Sequence, residues 1–290
     1  MTIALAPSGP VTRVAYLGTP ALAVPPLQAL VAAGIQVALV VSQPDRRRGR
    51  GSALVPSPVK QAALDLGLPV SDVVADVVDV GVELGVVVAF GRLISVPVLE
   101  AVPMVNLHFS LLPRWRGAAP VERAILAGDP CTGVDLMVVE EGLDTGGIYR
   151  RVVVPIAADD TLDELRGRLV QEGTTILVEE LQRGLGEPAS QVGEATYAAK
   201  IAPEELHLRW TEPAAALHRV VRLGGAWTTH EGKRLKVWRS LVPPLGDGPL
   251  VAAGDGPVEL VEVQPEGKGR MPASAWANGA RWRPVDGLGT

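Results

Sequence analysis

Short, nearly continuous apolar runs alternate along the first two thirds of the chain with stretches whose apolar residues recur at helical spacing. RVAYLG (Arg13 to Gly18) is a β-branched and aromatic run ending in glycine, TPALAVPPLQALVAAG carries the helical spacing to Gly34, and IQVALVVS (Ile35 to Ser42) is a second apolar run. Runs without polar alternation are typical of parallel strands covered by helices on both faces. In SPVKQAALDLG, Ser57 is placed to cap a helix, Pro58 suits its first position and Gly67 its stop. VVVAFG, VPMVNLH, VDLMVV and IYRRVVVP add strands, with helices expected over 96–101, 120–127 and 161–184. A further helix is expected in the valine-heavy SDVVADVVDVGVELG, ahead of the central strand. The alternation predicts an α/β fold built on an open, doubly wound, mostly parallel, Rossmann-like sheet.

The rhythm changes near residue 185. GLGEPASQVGEATYAAK is small and polar, with Gly and Pro, and reads as a linker. Beyond it come an amphipathic helix, PAAALHRVVRLG, and the short strand candidates KRLKVWRSLV, PLVAAG and PVELVEV between Gly/Pro turns. The expected division is a domain over 1–184, a linker over 185–203 and a smaller β-rich, barrel-like C-terminal domain over 204–290.

Composition narrows the class. At 290 residues, 47% hydrophobic and 20% charged, the chain has the make-up of a globular protein of about two domains. Cys131 is the only cysteine, which excludes an intramolecular disulfide and a paired-thiol zinc or redox motif. The chain does not open with a basic region and an apolar segment, and it has no apolar run of about 18 residues, so a cytoplasmic protein without a membrane span is expected. The net charge of −5 is uneven: residues 1–200 hold 16 Lys and Arg against 22 Asp and Glu, while 201–290 hold 11 against 10. An anionic partner must therefore meet local patches.

The candidate chemistry begins at NLHFSLLPRWRGAAP, where an apolar run ends in polar groups. Asn106 and His108 are two apart on one strand and leave the same face of it. Asp144 lies in EEGLDTGG, the loop after VDLMVV, flanked by glycines. His relays protons near neutral pH, a carboxylate orients an imidazole, and an Asn amide donates to a developing oxyanion. There is no GxSxG nucleophile motif, so the set suits direct attack by a substrate nucleophile. There is also no HExxH or ligand-spaced His pair, and no metal site is expected.

At these residues the chain resembles the methionyl-tRNA formyltransferases, folate-dependent enzymes that formylate the amino group of initiator methionyl-tRNA. The likeness runs through YLGTPALAVPPLQAL, SQPDRRRGRG, VPSPVKQAAL, VVVAFGRLI, NLHFSLLPRWRGAAPVERAILAGD, EGLDTGG, TYAAK and VQPEGKGRM. The resemblance implies that Asn106, His108 and Asp144 are the catalytic trio and that Ser110, Leu111, Leu112 and Pro113 form a folate-binding segment. Val88 and Phe90, in VVVAF, would line the pterin slot. The co-substrate would be 10-formyltetrahydrofolate, with no metal and no membrane partner, and the enzyme is expected to act as a monomer. In the RRRGR loop, Arg46, Arg47, Arg48 and Arg50 would meet the tRNA acceptor stem. Lys233, Arg234, Lys236, Arg239, Lys268 and Arg270 would add phosphate contacts. Trp210, Trp227, Trp238, Trp276 and Trp282 are expected in the core. In place of the family's usual Asn-Pro-Trp-Pro-like turn after LHRVVRLGG, the chain reads GGAWTTHEG.

Two other functions use the same folate half-site or none of it. One is formylation of a small amine, such as an amino sugar nucleotide or glycinamide ribonucleotide; the other is a tRNA-binding module without turnover. A formyltetrahydrofolate hydrolase would use a similar trio on water. The arginine loop and the basic C-terminal part argue for tRNA, and retention of all three chemical groups argues for turnover.

Overall fold

The computed structural model describes residues 4, 6–47, 54–284 and 287–289. The chain divides into two compact units, the first made of 1–120, 131–155 and 166–198, the second of 121–130, 156–165 and 199–290.

In the first unit the apolar runs become strands and the periodic stretches become helices. In order they are β1 (Arg13–Gly18), α1 (Val24–Ala32), β2 (Gln36–Val41), β3 (Arg46–Arg47), β4 (Leu54–Val55), α2 (Pro58–Asp65), β5 (Val70–Ser71), β6 (Leu84–Val88), α3 (Val96–Ala101), β7 (Met104–His108), β8 (Arg116–Gly117), α4 (Pro120–Ala127), β9 (Cys131–Val138), β10 (Ile148–Pro155), α5 (Leu162–Arg183) and β11 (Tyr197–Ala198). α4 begins at the edge of this unit and belongs mainly to the second, as do the first residues of α5. Seven strands form one sheet in the order β10-β9-β7-β6-β1-β2-β5. β7, β6, β1, β2 and β5 are parallel, and β9 runs antiparallel to both β7 and β10. β6 is buried along its whole length, as its unbroken apolar run requires. On one face Ala15, Leu17, Leu39, Val41, Val87 and Phe90 join a core cluster. Ser57 caps α2, its hydroxyl accepting from the Lys60 amide at 3.0 Å, with Pro58 in the first turn.

The helix expected within 71–85 does not form. β5 is followed only by a 3-10 turn, Val74–Val77. β-branched valines are weak helix formers, and Ser71 supplies a competing local structure: its hydroxyl accepts from the Val73 amide at 3.0 Å and donates to Asp76 Oδ2 at 2.5 Å.

The second unit contains α6 (Ala214–Arg222), β12 (Trp227–His230), β13 (Lys233–Leu241), β14 (Leu250–Ala252), β15 (Pro257–Pro265), β16 (Met271–Pro272) and α7 (Ala273–Ala280). The strands make an antiparallel sheet in the order β12-β13-β15-β14, with β16 also on β15. Leu217 and Val221 of α6, Leu235 and Val237 of β13, and Trp276 of α7 share its core. Among the described residues this sheet is open, with β12 and β14 as outer strands.

Candidate active site

β7 sets the first two groups. Asn106 is half-buried and His108 almost wholly buried, and the two-residue spacing puts both on one face of the strand. Asn106 lies beside Val87 of β6 on one side and Met137 of β9 on the other, and His108 is registered against Asp135 of β9. Continuous pairing on both sides holds β7 in place.

Asp144 arrives from an unexpected direction. Because β9 is antiparallel, its end lies beside the start of β7: Val138 registers with Val105, and the Val139 amide donates to the Met104 carbonyl at 2.9 Å. The loop that follows must return along the sheet to reach His108. Asp144 takes a left-handed conformation, φ 52°, and close passage at Gly146 completes the turn, where a Cβ would strike the Val138 carbonyl oxygen. The carboxylate ends 3.6 Å from His108 Nδ1, and the same oxygen accepts from the Gly117 amide at 2.7 Å. On the other side of the ring, His108 Nε2 is 3.0 Å from the carbonyl of Trp115. A carbonyl only accepts, so Nε2 carries the proton and Nδ1 faces the carboxylate. The imidazole is thus hydrogen-bonded at Nε2 and faces a carboxylate at Nδ1.

The segment Ser110–Pro113 is packed inward. Ser110, Leu112 and Pro113 are buried, and the Ser110 hydroxyl donates to the Arg114 carbonyl at 2.7 Å. Leu111 is partly exposed and lies over Gly133, where a Cβ would collide with its methyl group. Two residues missed at the sequence level hold this loop. Asp135, fully buried, accepts from the Leu112 amide at 2.8 Å and from Arg151 at 2.7 and 2.6 Å, while Arg151 also donates to the Leu112 carbonyl at 2.5 Å. The carboxylate raises the pKa of the guanidinium further, and the pair grips both backbone groups of Leu112. Asp135 was legible as a polar interruption in the apolar run VDLMVV.

Phe90 and Val88 are buried as well. Phe90 is 2% exposed within the core, and its carbonyl accepts from Thr19 Oγ1 at 3.0 Å and Gln43 Nε2 at 3.2 Å. Their side chains are thus taken up by the core, and the turn that follows the strand, Ala89–Gly91, has positive φ at both end residues.

This geometry sits in a chain with clear relatives. A family model described as formyl transferase matches residues 12–181, and a second, described as formyl transferase, C-terminal domain, matches 200–281. This chain belongs to the formyl transferase family. A methionyl-tRNA formyltransferase from Symbiobacterium thermophilum is 41% identical over 300 aligned residues, covering 92% of each chain. One from Jannaschia sp. is 44% identical over 297, covering 94% of this chain and 98% of its own. Among solved structures, an N-formyltransferase from Helicobacter canadensis, in complex with folinic acid and dTDP-3-aminofucose, superposes with a TM-score of 0.67 at 17% identity, covering 86% of this chain and 98% of that one. That similarity supports the fold.

Within this formyl transferase, the candidate RNA-facing groups are distributed over both units. Arg46 and Arg47 are exposed on β3, which pairs with β4; Arg48 and Arg50 lie outside the described residues. In the second unit Lys233, Arg234, Arg239, Lys268 and Arg270 are exposed and Lys236 is half-buried. The expectation that all five tryptophans are core residues holds for Trp276 and Trp282, with Trp210 partly buried against them. It fails for Trp227 and Trp238, which take cations on their faces: Arg234 lies 4.0 Å over Trp227 and Arg270 3.4 Å over Trp238. β13 alternates, so the side chains opposite its buried Leu235 and Val237 face outward. No helix among the described residues is long and apolar enough to cross a membrane, and no cluster of three or more His, Cys, Asp or Glu there is arranged to hold a metal ion.

Proposed function

We propose that this chain is a methionyl-tRNA formyltransferase that moves the formyl group of 10-formyltetrahydrofolate to the α-amine of initiator methionyl-tRNA, with Asn106, His108 and Asp144 as the reacting site. The observation that carries the reading is the His108 imidazole held between the Trp115 carbonyl and Asp144 at the end of β7, in a chain 40–44% identical to methionyl-tRNA formyltransferases over nearly its whole length. The first unit holds the folate and the chemistry, and the basic outer face of the second meets tRNA, in the cytoplasm where initiator tRNA is charged. A folate ring suits the apolar end of β6, where polar contact comes from backbone groups of a tight turn.

The reaction follows from proton accounting. The neutral amine attacks the formyl carbon, its new C–N bond forming as the carbonyl π pair moves onto oxygen. Asn106 donates to that oxyanion, and the charge of a protonated His108 stabilises it. Collapse of the tetrahedral species breaks the bond to N10, which takes a proton, while the attacking nitrogen gives one up. The net change is one proton carried from amine to N10. Asp144 orients His108 and offsets the positive charge it carries in the relay. No covalent enzyme intermediate is needed.

The test is formyl transfer to methionyl-initiator tRNA, with a panel of small amines as alternative acceptors and His108→Ala run alongside. Formylation of the aminoacyl-tRNA alone, reduced roughly a hundredfold or more in His108→Ala, supports the reading. Transfer to a small amine and not to tRNA overturns the acceptor, and full activity in His108→Ala overturns the site.

A further inference from the structure

The segment between α5 and the second unit, which reads as a linker, is bonded to the active site residue by residue. Ala189 and Ile148 exchange both backbone hydrogen bonds, at 2.8 and 2.9 Å. Farther on, Thr196 Oγ1 accepts from the Trp115 amide at 2.9 Å, and β11 pairs with β8 through Tyr197–Arg116 and Ala198–Gly117. Between these anchors lies Gln191. Its Nε2 donates to the carbonyls of Asp144 at 2.8 Å and Gly146 at 2.9 Å. Its Oε1 accepts from Arg116 at 2.6 and 3.2 Å. Both amide protons and the carbonyl oxygen are thereby used, and the surroundings fix the amide's orientation: rotating it by half a turn would set oxygen against two carbonyls and NH2 against a guanidinium.

We propose that Gln191 is a positioning residue of formyl transfer, tying the backbone of Asp144 to the loop that carries Trp115 and Gly117. The inference rests on the reading that His108 and Asp144 perform the chemistry. Asp144 sits on a loop that returns along the sheet and carries a left-handed residue that is not glycine, so its carboxylate position depends on what grips the main chain there. The side chain is held by the Gly117 amide and the backbone by Gln191, whose other end is held by Arg116, the residue preceding Gly117. The contacts form a closed ring, Gly117 to Asp144 to Gln191 to Arg116. Both partners of the His108 imidazole are consequently fixed by the same segment, Asp144 through Gln191 and Trp115 through Thr196.

The experiment is steady-state kinetics on the full chain, varying 10-formyltetrahydrofolate and methionyl-tRNA separately, for Gln191→Ala, Gln191→Glu, Asp144→Asn and the double variant Gln191→Ala with Asp144→Asn. Gln191→Glu keeps the size and the contact to Arg116 but removes both donors, so it separates loss of the Asp144 tie from loss of folding. Loose placement of a catalytic group costs on the order of a hundredfold. Both Gln191 variants are expected to lose roughly ten- to a hundredfold in kcat, with each KM within about twofold of the unsubstituted chain. Gln191→Ala should add little to Asp144→Asn, because the two act through one group. The inference is overturned if either Gln191 variant keeps kcat within about twofold, if the loss falls wholly on KM, or if the two losses multiply in the double variant. If Asp144→Asn retains full activity, the reading of the site fails and this inference with it; if Asp144→Asn is impaired while the Gln191 variants are not, only this inference fails.

Discussion

Asp135 and Arg151 exemplify what a single residue does here. Asp135 is wholly buried, and without Arg151 and the Leu112 amide its charge would have no compensation. Asp135→Asn keeps the size but leaves the guanidinium with a neutral partner. Because Arg151 is 39% exposed, water replaces part of what is lost. A destabilisation of about 2 kcal/mol in urea unfolding is expected, below the figure for breaking a fully buried pair. The same change should raise the KM for folate more than that for tRNA, since the grip on Leu112 belongs to the segment Ser110–Pro113; an unchanged folate KM would detach that segment from the co-substrate. His108, Asn106 and Asp144 were recognisable as residue types in the sequence. Asp135 was visible only as an anomaly in an apolar run, and Gln191 sat in a stretch with no periodicity to mark it.

Elements follow the same division. β1, β2, β6, β7 and α2 match the runs and caps that announce them, because each is decided by local burial pattern and end chemistry. The 71–85 helix fails because local hydrogen bonds from Ser71 outcompete a weak helix former. In the second unit α6 carries a buried histidine whose behaviour is predictable. His218 bonds Ser240 Oγ at 2.9 Å and Asp159 at 3.1 Å, with Arg222 on the same helix. Burial lowers its pKa, the Arg222 charge adds to the shift, and Asp159 opposes it. The folded state therefore binds fewer protons than the unfolded chain, and stability rises with pH across this titration. It should be lost progressively as pH falls below the ordinary histidine value of about 6.5. The opening free energy of α6, taken from amide exchange after correction for the intrinsic pH dependence of exchange, is expected to fall between about pH 7.5 and pH 5.5, and His218→Gln should flatten that dependence. An equally steep dependence in the variant would assign it to other groups.

For the whole molecule, charge and chain return decide the outcome. The net charge of −5 opposes a polyanion, yet Arg46 and Arg47 are exposed, and β13 and the residues beyond β15 present exposed cations. Replacing Arg46, Arg47, Arg48 and Arg50 together should raise the KM for tRNA several-fold and flatten its salt dependence by about 0.7–0.9 in log–log slope per lost phosphate contact, leaving the folate KM unchanged. Parallel loss of folate affinity would remove the loop from tRNA binding. The α/β class, most strand positions, the α2 cap and the candidate reacting groups were legible in the sequence, because burial periodicity and side-chain chemistry are local properties. Only the tertiary structure decided that β9 runs antiparallel, that Asp144 reaches His108 by returning along the sheet, and that a linker-like stretch holds both partners of the imidazole. Those outcomes depend on hydrogen bonds between residues tens of positions apart, such as Gln191 with Asp144 and Arg116, whose pairing no local pattern encodes.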